Sequence, residues 1–341
     1  MEIDAQRRTL LLAPPIPSGG AAGSTMRSFA VSVLREPPFV PRRHDAMGVV
    51  AGESAGWARD LGLVHTPAGL RRLRAADPAD LAARACPEAP VDRLRLLTDL
   101  ITWLFVMDDA CDEDGLGASP VRLAPVVALL LEVLDRHGDG SVAPPAGAGP
   151  LGVALDDVCR RVRDRRQPAA LLRLISQLRE YLLALLWEAA NREHRRVPGS
   201  AEYVQMRRHT GGARPAFTLT DLARDRWPGP AGRADPGMAA LDALAADLVC
   251  WCNDLFSYGK EQSRLPDAHN LVSTIAGEDG LDEETALRAA ADRYNAGLAA
   301  YAAREAVLAA AGNEAVRDFL TTRRDWIRAT YDWSLAATRY A

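Results

Sequence analysis

From Ala46 onward, Ala, Leu, Arg and Glu fill long windows, while β-branched clusters and strict apolar/polar alternation are scarce. That pattern belongs to helices rather than strands. It predicts helices over 92–111, 120–136, 151–164, 168–195, 200–222, 236–262, 281–311 and 313–336. Several are apolar over more than one face, Leu171 to Trp187 above all, as expected of a large bundle whose helices enclose an interior space. The segment Gly138 to Gly152 and the run Trp227-Pro228-Gly229-Pro230 predict surface loops, because neither can continue a helix. Pro14, Pro15, Pro17, Gly19, Gly20, Pro37, Pro38 and Pro41 make residues 1–42 an irregular, floppy leader. No repeat at solenoid period divides the rest. The expected fold is all-α, one helical domain over 43–341 around a central cavity.

Composition narrows the function classes. With 48% hydrophobic and 25% charged residues over 341 positions, the chain is an ordinary globular protein with enough apolar surface for a large core. Lys+Arg 41 against Asp+Glu 45 leaves a net charge of -4, without the basic excess that phosphate neutralisation requires, so no nucleic-acid partner is expected. Five cysteines form no CxxC pair, which argues against a disulfide framework or zinc ribbon and for a reducing, cytoplasmic setting. No apolar run reaches the length of a membrane span. Arg7-Arg8 is followed by an apolar run that Pro14-Pro15 ends too early for a twin-arginine signal. Gly147 to Gly152 fits GxGxxG by letter but has no strand before it. None of the six histidines lies in an ExxH or HExxH pattern, which removes di-iron and zinc-protease chemistry.

Two polar constellations interrupt the apolar helices. The first is Asp108-Asp109-Ala110-Cys111-Asp112-Glu113-Asp114, which ends a hydrophobic helix. Carboxylates are disfavoured at the negative end of a helix dipole and repel one another, so something cationic should compensate. Asp108 and Asp112 share one face, about 6 Å apart along the axis, and are suited to a hard divalent cation. Alone, the run is equally well explained as a solvated acidic loop. The second is Asn253-Asp254-Leu255-Phe256-Ser257-Tyr258-Gly259-Lys260-Glu261. Asn253, Ser257 and Glu261 fall at i, i+4 and i+8 and align an amide oxygen, a hydroxyl and a carboxylate. Such a stripe makes a poor core and a good magnesium site, and Lys260 sets a cation beside it. Asp109 and Asp254 point off the two stripes, which suits them to supporting roles rather than direct ligation.

The pair DDxxD and NDxxSxxKE resembles the metal motifs of bacterial class I terpene synthases. In that family an arginine that senses diphosphate lies 46 positions before the asparagine, which here is Arg207, with Arg208 as the neighbouring alternative. The resemblance makes Thr210 the linker, where some members carry Asp, and Gly211 the effector at a helix break. Arg339-Tyr340 matches the family's terminal pair and Trp333, six positions earlier, its aromatic wall residue. The matches run from Phe105 to Tyr340 and cover most of the chain.

The resemblance implies the helical class I terpenoid synthase fold, three Mg2+ ions held by Asp108, Asp112, Asn253, Ser257 and Glu261, and a diphosphate held by Arg207, Lys260, Arg339 and Tyr340. It implies an acyclic isoprenyl diphosphate substrate, farnesyl diphosphate first, released pyrophosphate, and a homodimer. Phe105 and Trp333 are the candidate aromatic platforms for a carbocation, with Phe217 and Trp103 less strongly placed. The rival enzyme is a trans-prenyltransferase of the same architecture, which should carry a second aspartate-rich motif where this chain has Asn253, Ser257 and Glu261. The non-enzymatic rival is a helical scaffold with an incidental acidic patch.

Overall fold

The structure is a computed structural model that describes residues 29, 30, 32–139, 146–224, 235–264 and 269–340. Among the described residues there is no strand. Within them, thirteen α-helices carry the fold: α1 (Met47–Asp60), α2 (Pro67–Ala76), α3 (Pro78–Ala85), α4 (Val91–Asp112), α5 (Pro120–Gly138), α6 (Gly149–Asp164), α7 (Pro168–His194), α8 (Ser200–Thr210), α9 (Ala213–Ala223), α10 (Pro236–Arg264), α11 (Leu271–Asp279), α12 (Glu283–Ala311) and α13 (Glu314–Ala336). A 3-10 turn, Thr338–Tyr340, follows α13.

The long helices lie within a few residues of their predicted spans, and the differences have local causes. Gly138 ends α5 and Gly149 opens α6 with Pro150 in its first turn, so the predicted Gly138–Gly152 loop is shorter than its composition suggests. Proline in a first helical turn costs no hydrogen bond. The predicted 227–230 loop lies outside the described residues. The window 200–222 breaks into α8 and α9 at Gly211-Gly212, where Gly212 takes a left-handed φ of 66°. α1, α2, α3 and α11 are short helices that the periodicity did not delimit. Asp77, at φ 44°, ends α2, and its side chain accepts from Asp80 N to begin α3.

The leader expectation needs correcting for its second half. Phe29 and Ala30 are buried. Asn295 of α12 accepts from the Arg35 amide (2.7 Å) and donates to the Val33 carbonyl (2.9 Å). Arg328 of α13 donates to the Pro37 and Phe39 carbonyls, Phe39 packs edge-on to Tyr301, and Arg42 pairs with Asp325 at 2.7 Å. Proline forbids regular structure but not docking, and the carbonyls it leaves unpaired are what Arg328 binds. Residues 1–28 lie outside the described residues.

One face of α4 supplies core: Leu94, Leu97, Leu100 and Met107 are fully buried. The other faces a cavity shared with α3, α7, α8, α9, α10 and α13. No described helix is long and apolar enough to cross a membrane.

Candidate active site

The cavity has a volume of about 170 Å³ and two chemically distinct ends. Every metal, diphosphate and catalytic residue singled out from the sequence lines it: Asp108, Asp112 and Phe105 from α4; Arg207, Thr210 and Gly211 at the end of α8; Asn253, Ser257, Lys260 and Glu261 from α10; Trp333 from α13; Arg339 and Tyr340 beyond it. Chain segments more than two hundred residues apart therefore meet around one space.

At the end of α4 the expected cationic compensation is present. Arg339 reaches Asp108 at 2.8 Å and Asp109 at 3.0 Å. Arg192 of α7 reaches Asp112 at 2.5 Å and Glu188 at 3.8 Å. Lys260 meets Glu113 at 2.9 Å, and Arg72 of α2 meets Glu113 at 3.2 Å, Asp114 at 3.0 Å and Asp109 at 3.8 Å. Asp112 keeps 35% of its side chain exposed. Even so, desolvation pushes its carboxyl up to about 8, against the pull of Arg192 and with help from Asp108, Glu188 and Glu261. Burial likewise raises Asp109, which Arg339 pulls back.

The α10 stripe is built differently. Asn253 donates through Nδ2 to the Tyr340 hydroxyl (2.6 Å) and accepts from Arg207 Nη2 (2.9 Å). Ser257 is buried and its hydroxyl is 3.4 Å from the Asp254 carbonyl. Glu261 accepts from Asn270 Nδ2 at 2.9 Å, and burial raises its pKa, with Asp254 adding to the rise. Behind the stripe Asp254 is fully buried. It accepts from Arg207 Nε (3.0 Å), Tyr203 (2.5 Å) and the Leu271 amide (3.2 Å). Burial raises the Asp254 pKa while Arg207 and Tyr203 lower it. Burial alone would lower Arg207, but Asp254 drives it well above its ordinary value. Asp254 and Asp109 thus hold arginines, as their off-stripe positions suggested.

Arg207, not Arg208, enters the cavity. Arg208 makes a two-pronged contact with Asp247 at 2.7 Å per arm instead. The break after α8 has a steric cause: a Cβ on Gly211 would strike Cys250 Sγ and come within 3.0 Å of the Arg207 carbonyl oxygen. Only glycine allows that approach. The end of α8 leaves carbonyls without helical partners at the cavity wall, and the adjacent Thr210 Oγ1 is buried without a hydrogen-bond partner.

Directly beneath the cationic end the wall turns aromatic and apolar. Phe105 stacks on Trp333 at 5.6 Å and 22°, Trp333 meets Tyr340 edge-on at 5.6 Å, and the Trp333 indole donates to the Ala76 carbonyl (2.8 Å). Arg339 lies 5.3 Å above the Phe105 ring. Phe217 and Trp103 do not line the cavity. Phe217 packs behind Trp326, and Trp103 is fully buried with its indole on the Leu151 carbonyl; both are core, because their helix faces turn away from the space. Sequence reasoning missed Tyr181, Glu188 and Arg192 of α7, and Arg72 and Asn270. For Arg192 and Arg72 a signal existed: acidic charge at the wrong end of α4 demanded cations from elsewhere.

Residues 99–300 match the family described as terpene synthase family 2, C-terminal metal binding. The chain is 34% identical over 296 residues to a (+)-T-muurolol synthase ((2E,6E)-farnesyl diphosphate cyclizing) of Roseiflexus castenholzii, covering 86% of this chain and 89% of that protein. It is 32% identical to a 4-epi-cubebol synthase ((2E,6E)-farnesyl diphosphate cyclizing) of Streptosporangium roseum, covering 89% and 90%. Among solved structures, a single-substitution variant of cucumene synthase superposes with a TM-score of 0.76 at 26% identity, over 90% of this chain and 100% of that one. The α-eudesmol synthase structure, at 22% identity and a TM-score of 0.77 over 89% and 99%, shares the fold. Two oxygen-donor stripes and a set of cations at one end of an otherwise apolar, helix-walled cavity thus have a family to which they belong: the chain is a bacterial class I terpene synthase.

Proposed function

We propose that this terpene synthase is a Mg2+-dependent carbon–oxygen lyase that ionises farnesyl diphosphate, cyclises the carbocation and releases pyrophosphate in the cytoplasm. The observation that carries the reading is the division of one cavity into an oxygen-donor and cationic end and an apolar, aromatic end.

The donor set fits magnesium. Asp108, Asp112, Asn253, Ser257 and Glu261 offer only hard oxygen ligands from two helices. Among the described residues no three His, Cys, Asp or Glu side chains cluster as a metal site by themselves, which agrees with ions shared between stripes and diphosphate rather than a closed protein cage. Three bound Mg2+ ions would supply Lewis-acid charge neutralisation for the departing diphosphate.

The chain's own residues supply the rest. Arg207 is held through Nε and Nη2 by Asp254 and Asn253, leaving Nη1 for a phosphoryl oxygen. The Tyr340 hydroxyl accepts from Asn253, so its own proton is available to the ligand. Arg339 and Lys260, now on carboxylates, complete the charge-assisted set. Phe105 and Trp333 line the cavity as aromatic rings near which the cation would form.

The test is incubation with Mg2+ and geranyl, farnesyl or geranylgeranyl diphosphate, followed by gas chromatography and mass spectrometry of the extract. A cyclic hydrocarbon or alcohol from the C15 substrate is expected. Longer prenyl diphosphates formed only with added isopentenyl diphosphate would make the protein a trans-prenyltransferase, against which Asn253, Ser257 and Glu261 stand in place of a second aspartate-rich motif.

A further inference from the structure

We infer that Trp326 is the fixed floor of the cavity and sets the length of isoprenyl chain the enzyme accepts; the inference rests on the isoprenyl diphosphate reading above but not on which chain length is preferred. The diphosphate end lies where α4 ends at Asp108 and Asp112 and where Arg339 and Tyr340 follow α13. Each lining helix therefore descends from that end. On α13 Trp326 lies seven residues before Trp333, about 10 Å deeper by helical rise. On α4 Ile101 lies as far below Asp108, and on α9 Ala216 lies one turn below the break at Gly212. Ile101, Ala216 and Trp326 thus share a deep layer, which Tyr181 of α7, seven residues from Glu188, also approaches; of these two large side chains Trp326 is the one seated on Phe217 and the Arg323 network.

Its indole is clamped in place. Nε1 donates to Thr220 Oγ1 at 2.9 Å, and that hydroxyl donates in turn to the Ala216 carbonyl at 3.0 Å. Beneath the ring lies Phe217, at 5.5 Å between centroids. Beneath Phe217 lies Arg323, fully buried and 4.5 Å from both the Phe217 and Phe319 rings. Arg323 is tied to both oxygens of Asp221 (2.7 and 3.0 Å) and to Asp242 (2.6 Å). A longer chain cannot push the floor down without breaking a buried, fully bonded ion network, whose disruption costs far more than a methylene contact returns. A shorter chain leaves the indole face unfilled. The prenyl tail is thus measured against Trp326 while the diphosphate is fixed above.

The experiment measures kcat/KM of the full chain with Mg2+ and the C10, C15, C20 and C25 diphosphates by pyrophosphate release and product analysis. The wild-type profile tests the proposed substrate; the floor is read only from how variants move away from that profile. Trp326→Ala should raise the ratio of the next longer diphosphate to the wild type's best substrate about tenfold or more. Trp326→Phe, which keeps a ring at the same depth, should leave the ratio within about threefold of wild type. Ala216→Leu, which adds bulk to the same layer from α9, should move the preference toward the next shorter chain, and it decides the matter if Trp326→Ala does not fold by circular dichroism. Where no product forms, thermal shifts with thiolodiphosphate analogues of the four lengths read the same ordering through binding. An unchanged chain-length ordering in a folded Trp326→Ala or Ala216→Leu protein would overturn the inference.

Discussion

The end of α4 and the stripe on α10 face the same cavity with opposite electrostatic constructions. At α4 the oxygens are carboxylates, partly exposed, and each is met by a cation from another element: Arg339 for Asp108, Arg192 for Asp112, Lys260 and Arg72 for Glu113. On α10 two of the three donors are neutral, and the stripe is pinned from behind by Asp254, Arg207, Asn270 and Tyr340. A metal arriving at α4 displaces or shares ion pairs, whereas one arriving at α10 meets oxygens whose positions are already fixed by hydrogen bonds. The first site is tuned by charge exchange and proton release, the second by geometry.

The largest effect should come from breaking the geometric half. Glu261→Ala or Asn253→Ala is expected to lower kcat about 10²–10³-fold, in the range seen when one preorganised transition-state contact is removed. The melting curve should barely move, since neither is a core side chain. Full turnover in either variant would show that the α10 stripe holds no ion, and the contrast between the two halves would collapse.

The charge-exchange half predicts a pH signature. Desolvation raises the Asp112 carboxyl while Arg192, 2.5 Å away, favours its charged form, so a proton competes with the metal there as pH falls. The apparent affinity for Mg2+ in the presence of pyrophosphate should rise with pH across the range in which Asp112 gives up its proton, by at most about tenfold per pH unit, and then level off. For stability of the metal-free protein the sign is opposite. The folded state holds the proton more tightly than the unfolded chain, so this group's contribution is full below about pH 4, declines as pH rises, and is spent above about 8. Asp112→Asn should flatten both dependences. A Mg2+ affinity that is already independent of pH between 6 and 8 would assign Asp112 to the same fixed class as Asn253.

Arg192→Met tests the same exchange from the other side. It leaves Asp112 and Glu188 without their shared cation, and breaking a pair between the exposed and fully buried limits costs about 1–3 kcal/mol. The melting temperature of the variant should fall and be largely recovered by Mg2+ with pyrophosphate, which replaces the lost positive charge. Failure of the ions to restore it would mean that Arg192 braces α7 against α4 rather than standing where cations exchange.

What could be read from the sequence follows the same division. Asn253, Ser257 and Glu261 share a face because local helix geometry fixes it, and Gly211-Gly212 marks a break because Gly212 takes φ 66° and Gly211 leaves no room for a Cβ beside Cys250. The acidic excess at the end of α4 was legible as a charge imbalance, but its solution was not. Arg72, Arg192 and Asn270 come from α2, α7 and the residue that caps α11, and only tertiary packing brings them in. The docking of residues 33–42 on α12 and α13 escaped for a related reason: proline content reports what the backbone cannot do, not which arginine its carbonyls meet. Phe217 and Trp103 were legible as large aromatics near the site, but which face of a buried helix fronts a cavity is decided by neighbours.

Arg72 gives the smallest and sharpest distinction. It reaches Asp109, Glu113 and Asp114 from the outer side of α4, is about a third exposed at 32%, and does not line the cavity. Exposed ion pairs are worth about 0–1 kcal/mol, so Arg72→Ala should change the melting temperature little and turnover at saturating Mg2+ by no more than about threefold. Its effect should appear instead in the Mg2+ concentration for half-maximal rate, because the carboxylates it orients belong to the half that is set by charge. Raising the salt concentration should erase the difference between wild type and variant, since screening removes an exposed pair first. A large loss of kcat that salt and Mg2+ both fail to reduce would place Arg72 among the fixed geometric supports of the site, alongside Asp254 and Asn270.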